Sequence, residues 1–160
     1  MAAEVTRERL RSLPKAELHV HLDGSLRPAT MLELAANGGV RLPASDPESL
    51  AELMRAGEAK SLEEYLEKFR ITLSLMQEPE ALEKVAFELG EDSAAENIRY
   101  LEVRYSPILH TEKGMSLEAA VEAPLRGLAA AEKTFGIRTG LIICGMRQLD
   151  SAASLRLAEL

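Results

Sequence analysis

Two of the chain's three histidines, His19 and His21, lie one residue apart in an otherwise apolar stretch. The stretch Glu17–Leu22 and the Asp-Gly-Ser turn after it predict a short buried strand that ends in a turn. Side chains at i and i+2 of a strand share a face, with Cα atoms on the order of 6–7 Å apart. Two imidazoles at that spacing can bind one zinc ion, and Asp23 continues the same parity.

The histidine pair alone leaves core packing and metal binding both open, because single buried histidines are common in protein cores. The whole string around it, KAELHVHLDGSL at residues 15–26, resembles the first strand of the adenosine deaminase family. That family belongs to the metal-dependent amidohydrolases, which fold as TIM barrels. The resemblance implies that His19 and His21 bind a catalytic zinc, and that His21 and Asp23 contact the substrate, Asp23 through its ribose.

The order of the other elements is typical of a parallel α/β architecture. The predicted strands are Glu17–Leu22, Ile98–Tyr105 and Ile137–Gly145. The predicted helices are Val5–Leu13, Pro28–Ala36, Pro47–Gly57, Leu62–Met76, Pro79–Asn97, Leu117–Phe135 and one from Ser151 that is still in progress at Leu160. Pro124 falls inside a predicted helix, where proline removes a hydrogen bond, so we expect a bend or a break there.

The helix predicted after Ser61 carries an apolar stripe at helical spacing. Core packing is the simpler interpretation of such a stripe. The resemblance implies in addition that this helix overhangs the active site as an apolar lid. The pocket-lining candidates on it are Leu62, Tyr65, Leu66 and Phe69, of which Tyr65 and Phe69 are the better lid residues.

The ends of the second and third predicted strands carry further candidates. Glu102, Arg104 and Ser106 share one parity, and they face a barrel interior if the alternate residues face an outer helix layer. The string LEVRYSP resembles the second strand of the family, but a structural Glu102–Arg104 pair remains open beside a substrate role. Met146 resembles a pocket-lining methionine of the family, although a methionine after a strand is also common core filler. Arg104, Ser106 and Met146 are therefore pocket candidates.

Composition excludes several classes of function. The formal net charge of −7 argues against nucleic acid and anionic membranes as partners. A single cysteine, Cys144, excludes an internal disulfide framework. There is no phosphate-cradling glycine loop, no GxSxG elbow and no cytidine-deaminase motif. With no signal-peptide pattern and no long apolar run, we expect a cytoplasmic protein.

The chain of 160 residues is short for a TIM barrel, which usually needs about 250. We therefore expect residues 1–160 to form one incomplete domain, about three βα units from the N-terminal part of a (β/α)8 barrel. The missing C-terminal half would be its partner. The third histidine, His110, stands where the family has no ligand, and the catalytic proton donor is expected beyond Leu160.

The function implied by the resemblance is zinc-dependent hydrolytic deamination of adenosine and 2′-deoxyadenosine to inosine and ammonia, a step of purine salvage. A related adenine or aminofutalosine deaminase is an alternative, although Asp23 favours a ribose-bearing substrate. A phosphoesterase with an H-x-H motif fits the wider LDGSL context poorly. A truncated, non-catalytic remnant is the alternative from a different class.

Residues 1–160 expressed alone should not deaminate adenosine. Three βα units leave strand edges and apolar faces uncovered, so the isolated chain should bind zinc weakly and aggregate or stay partly unfolded. The measurement is a spectrophotometric deamination assay with added zinc, alongside size-exclusion chromatography. A monodisperse and active 160-residue protein would contradict this expectation.

Overall fold

The structure, a computed structural model, describes residues 5–55 and 61–160, and of residues 62–65 only the backbone. Three parallel strands form one sheet in the order β1-β2-β3, with β1 at Lys15–His21, β2 at Ile98–Tyr105 and β3 at Arg138–Ile143. The helices are α1 Arg7–Ser12, α2 Pro28–Gly38, α3 Pro47–Met54, α4 Leu62–Leu75, α5 Pro79–Ala95, α6 Leu117–Phe135 and α7 Ser151–Ala158. Short 3-10 turns follow β1 and β2, at Leu22–Gly24 and Pro107–His110.

The predicted parallel βα units are confirmed, and the bounds of β2 and α6 are those predicted. Most of the other predicted ends differ from the observed ones by about one to three residues. Helix α7 ends at Ala158 rather than continuing to Leu160, and its C-cap Glu159 donates its N–H to the Leu155 carbonyl. Helix α3 ends at Met54, where the extended backbone of Arg55 follows, rather than at the predicted Gly57, which lies outside the described residues. No described helix has the length and apolarity that a membrane crossing needs.

Strand β2 separates an apolar face from a polar one. Its side chains Leu101, Val103 and Tyr105 are buried and pack in one core with residues of α5 and α6. Glu102 and Arg104, which alternate with them, lie on the opposite face and are only partly buried. The prediction that apolar side chains of β2 face the helices while polar side chains occupy the other face is therefore confirmed.

Helices α5 and α6 pack closely because small residues line their contact. A Cβ atom added to Gly127 of α6 would lie 2.1 Å from the carbonyl oxygen of Glu83, and one added to Gly90 of α5 would lie 2.5 Å from the Cβ of Ala131. Real Cβ atoms do not approach other heavy atoms that closely, so both positions require glycine at this helix separation. The pair of helices thereby forms a compact layer on the apolar face of the sheet.

Pro124 does not break α6, because the helix runs uninterrupted from Leu117 to Phe135, so of the predicted bend or break only the break is wrong. A proline has no N–H, so the carbonyl four residues earlier, that of Ala120, loses its helical donor. The hydroxyl of Tyr105 donates to this same carbonyl at 2.7 Å. The side chain of β2 thus replaces the missing helical hydrogen bond, which makes the proline tolerable in a buried part of the helix.

Strand β1 is more exposed than predicted. His19 and His21 are exposed, whereas the sequence predicted a buried strand. The reason is its place in the sheet: among the described residues β1 pairs only with β2, so it is an edge strand. Only its face toward the helices is partly covered, through Val20, which packs against the main core.

Replacing Tyr105 with phenylalanine should destabilise the protein by about 1–3 kcal/mol, because the Ala120 carbonyl would stay buried without a donor. The loss should be smaller in a Pro124→Ala background, where the restored amide can donate to that carbonyl. A double-mutant cycle measured by urea unfolding tests this. Additive effects of the two substitutions would show that the hydroxyl does not replace the helical bond.

Candidate metal and substrate site

The candidate site lies where the first two strands end. His21 is the last residue of β1 and the Leu22–Gly24 turn follows it directly, while Ser106 follows the last residue of β2. His21 lies opposite Arg104 in the register of the two strands. Since β1 and β2 are parallel, their carboxyl ends meet at one edge, which is where barrel enzymes place their active sites.

His19 and His21 form a close and accessible pair. Their ring centroids are 5.5 Å apart with the planes tilted by 36°, and the side chain of His21 is 48% exposed. Within the described part of the chain, no imidazole nitrogen of either residue forms a hydrogen bond. Two neighbouring imidazoles whose nitrogens form no other hydrogen bond within the described residues can provide two of the ligands of one zinc ion.

The structure describes two such ligands and not a third. Across residues 5–55 and 61–160, no group of three or more His, Cys, Asp or Glu side chains is arranged to hold a metal ion. A catalytic zinc usually takes about three protein ligands and keeps one position open. The donor chemistry therefore fits zinc, but further ligands are needed.

Asp23 is buried immediately beside the pair. Its residue exposure is 6%, and its Oδ1 lies 3.7 Å from the Nδ1 of His21, beyond hydrogen-bond distance. Oδ1 has no hydrogen-bond partner among the described residues. Burial raises the pKa of this carboxyl group, and the neighbouring His21 opposes part of that rise. A buried acceptor without a donor lowers the stability of the fold. Such an atom is typical of a position where a ligand binds.

The polar residues at the end of β2 supply two more buried atoms that lack a partner within residues 5–55 and 61–160. These atoms are the Oγ of Ser106, a residue that is 3% exposed, and the Nε of Arg104. The sequence left open a structural ion pair between Glu102 and Arg104, and this interpretation is wrong because the two side chains have other partners. Glu102 accepts a hydrogen bond from the hydroxyl of Tyr100 at 2.9 Å, and Arg104 donates to the carbonyl of Leu18 at 3.0 Å.

Helix α4 lies over the turn that carries Asp23. A Cβ atom added to Gly24 would lie 3.4 Å from the Cε1 of Phe69 and 3.8 Å from the Cβ of His21. The Phe69 ring therefore covers the turn next to the histidine pair, as a lid residue would. Leu66, on the same helix, is 51% exposed. The side chains of Leu62 and Tyr65, the other two lid candidates, lie outside the described part of the structure.

Two of the remaining candidates lie away from the histidine pair. Met146 is half-buried in the turn after β3, which is two strands from β1 in the sheet. His110 is fully buried: its Nδ1 lies 2.9 Å from the carbonyl oxygen of Met76, and its ring packs against Tyr105. Burial lowers the pKa of His110, which favours the neutral imidazole. His110 is thus a core residue of the β2–α6 connection.

Glu17 is a residue of the site that sequence reasoning missed. Its carboxylate accepts a hydrogen bond from the backbone N–H of His19 at 2.9 Å. The alternation of the strand gave no sign of this contact, because it depends on a local shift in the pairing of β1 with β2. Only the two-residue distance from the histidine could have suggested it.

These features define a class of protein. Parallel βα units with an H-x-H pair at the carboxyl end of the first strand are those of the N-terminal part of a metal-dependent hydrolase of the TIM-barrel type. Residues 14–160 match the family model for adenosine deaminase, and the chain belongs to that family.

Individual relatives agree with this assignment. The chain is 45% identical over 139 residues to an adenosine deaminase of Clostridium perfringens, a match that covers 86% of this chain and 42% of that protein. A zinc-bound amidohydrolase of Burkholderia ambifaria matches with a TM-score of 0.83 and 28% identity, over 99% of this chain and 43% of that one. An adenine deaminase of Arthrobacter aurescens matches with a TM-score of 0.79 and 30% identity, over 91% and 44%. The chain therefore spans less than half the length of these relatives.

Proposed function

We propose that the chain forms the first part of a zinc-dependent deaminase that hydrolyses adenosine and 2′-deoxyadenosine to inosine and ammonia. One observation carries the proposal: an accessible histidine pair lies beside a buried Asp23 whose Oδ1 has no donor. The pair offers metal ligands and the carboxylate offers a ligand-binding acceptor, at one edge of the sheet. The 45% identity to an adenosine deaminase supports the choice of reaction.

The metal is proposed to bind through His19 and His21, with its further ligands supplied from outside the described residues. When bound, zinc lowers the pKa of a coordinated water and so provides a nucleophile near neutral pH. The two histidines would hold the ion at the carboxyl end of β1, and the turn that carries Asp23 follows that strand directly. Groups that move protons during the reaction are proposed to come from the remaining part of the barrel.

Asp23 is proposed to bind the ribose by accepting a hydrogen bond from its 5′-hydroxyl. A buried carboxylate oxygen without a donor gains one when the sugar binds, so the cost of burying it is offset only in the complex. Phe69 covers the adjacent turn and would exclude water from the apolar side of the pocket. These two residues thus give the site a polar end and an apolar cover.

Adenine is a second candidate substrate, because the fold matches an adenine deaminase nearly as well as it matches the zinc-bound amidohydrolase. The free base has no ribose to satisfy Asp23. Turnover of adenosine and adenine by the same preparation of the whole protein distinguishes the two substrates. A strong preference for adenine would show that Asp23 does not serve a sugar.

In the whole protein, His19→Ala and His21→Ala should each lower the zinc content and abolish deamination, because each removes a proposed ligand. The matched control is His110→Gln, which changes the chain's other histidine, a core residue that does not join the pair. Zinc is measured by elemental analysis after dialysis. Full zinc occupancy in either alanine variant would contradict the assignment of the metal site.

Asp23→Ala should lower kcat/KM for adenosine more than it lowers kcat/KM for 5′-deoxyadenosine, which lacks the 5′-hydroxyl. The loss of a hydrogen bond to a charged group costs about 1.5–3 kcal/mol, or roughly a 10- to 150-fold decrease in kcat/KM for adenosine. The decrease should be much smaller for 5′-deoxyadenosine, which serves as the control in the same variant. An unchanged ratio between the two substrates would assign Asp23 another role.

A further inference from the structure

The pairing of β1 with β2 is irregular next to the first histidine of the pair. Glu17 lies opposite Leu101 and Val20 lies opposite Val103, so three steps along β1 correspond to two steps along β2. This is a β-bulge, which leaves residues of the longer strand without a regular partner and bends that strand. The register gives Leu18 and His19 no partner on β2, and His19 is therefore a bulge residue.

The peptide group between Leu18 and His19 forms hydrogen bonds with two side chains at this irregular point of the pairing. Its carbonyl oxygen accepts a hydrogen bond from the Nη2 of Arg104 at 3.0 Å. Its N–H donates to the Oε1 of Glu17 at 2.9 Å. Both polar groups of one peptide plane are thus bound by charged side chains, a cation at the carbonyl and an anion at the N–H.

This peptide plane sets the direction of the His19 side chain. Rotation of the plane changes ψ of Leu18 and φ of His19 in opposite senses, and it would move the imidazole relative to that of His21, 5.5 Å away. Metal ligands must keep their distances within about 0.2 Å, so a small rotation matters. Arg104 is also the register partner of His21, so the residue that donates to the Leu18 carbonyl lies opposite the second histidine of the pair.

We propose that Arg104 and Glu17 are positioning residues that fix the Leu18–His19 peptide and so orient His19 for zinc. The proposal rests on the proposed function, in which His19 is a zinc ligand. It gives Arg104 a role distinct from direct contact with the substrate, because the guanidinium acts through the backbone of the opposite strand. It also gives a role to the Glu17 carboxylate, which accepts a hydrogen bond from the residue two positions later in its own strand.

The first test replaces the guanidinium in the whole protein. Arg104→Met keeps the length of the stem and should raise the dissociation constant for zinc by about 10–100-fold, as measured by competition with a chromogenic chelator. Arg104→Lys, which can still donate to the Leu18 carbonyl, should recover part of the affinity. Arg99→Met, which removes an exposed guanidinium from the same strand, is the control and should leave the constant unchanged.

The second test replaces the carboxylate. Glu17→Gln keeps an acceptor for the His19 N–H and should bind zinc nearly as well as the unchanged protein, whereas Glu17→Met should weaken binding. A role in stability alone is separated by repeating Arg104→Met in a His19→Ala background. If Arg104 acts through His19, the residual zinc affinity there should no longer depend on residue 104. An equal loss in both backgrounds would overturn the proposal.

The outcomes separate this inference from the proposed function. If zinc binding does not depend on His19 at all, the proposed metal site is wrong. Alternatively, zinc binding depends on His19 while Arg104→Met changes the dissociation constant for zinc by less than twofold and raises KM at saturating zinc. In that case Arg104 contacts the substrate, and the positioning role is wrong. Urea unfolding of the metal-free variants, with midpoints close to that of the unchanged protein, confirms that the comparison concerns folded protein.

Discussion

The burial of one face of β2 is the constraint on which the rest of the structure depends. Leu101, Val103 and Tyr105 are almost fully buried against α5 and α6, and β2 is also the strand that pairs with both β1 and β3. Because strand side chains alternate, fixing three of them on the helix side fixes Glu102 and Arg104 on the other. The position of the polar site is therefore a consequence of the apolar core.

The site itself opposes stability. Among the described residues, Asp23 Oδ1, Ser106 Oγ and Arg104 Nε are buried without hydrogen-bond partners, and each such atom costs on the order of 1–3 kcal/mol. In the core, the Tyr105 hydroxyl and the Ala120 carbonyl satisfy each other, whereas the Nε2 of His110 is also buried without a partner. What distinguishes the first three atoms is their position at the ends of two adjacent strands, beside the histidine pair, where a bound ligand could satisfy them.

The sequence was most informative where local rules determine the structure. The alternation of residues 98–105 and the serine and glycine that flank α6 gave correct element bounds, and the i, i+2 spacing predicted a close histidine pair. It was less informative where the answer depends on another element. Pro124 is tolerated without a break because of a hydroxyl from β2, and the contact of Arg104 with the Leu18 carbonyl decides a pairing with Glu102 that the sequence left open. The bulge in β1 depends on cross-strand register, which the pattern of one strand does not contain.

Neighbouring residues of β2 connect the helix layer to the site. Tyr105 is fixed by the core and by its bond to α6, and it lies between Arg104, which supports the strand of the histidines, and Ser106, whose hydroxyl is unpaired. A strand transmits the position of one residue to the next through a rigid peptide plane. Arg104, which donates to the Leu18 carbonyl, is the next residue along the strand from Tyr105, whose hydroxyl donates to the Ala120 carbonyl of α6. The proposed positioning of His19 by Arg104 would therefore connect the helix layer, including its internal proline, to the histidine pair.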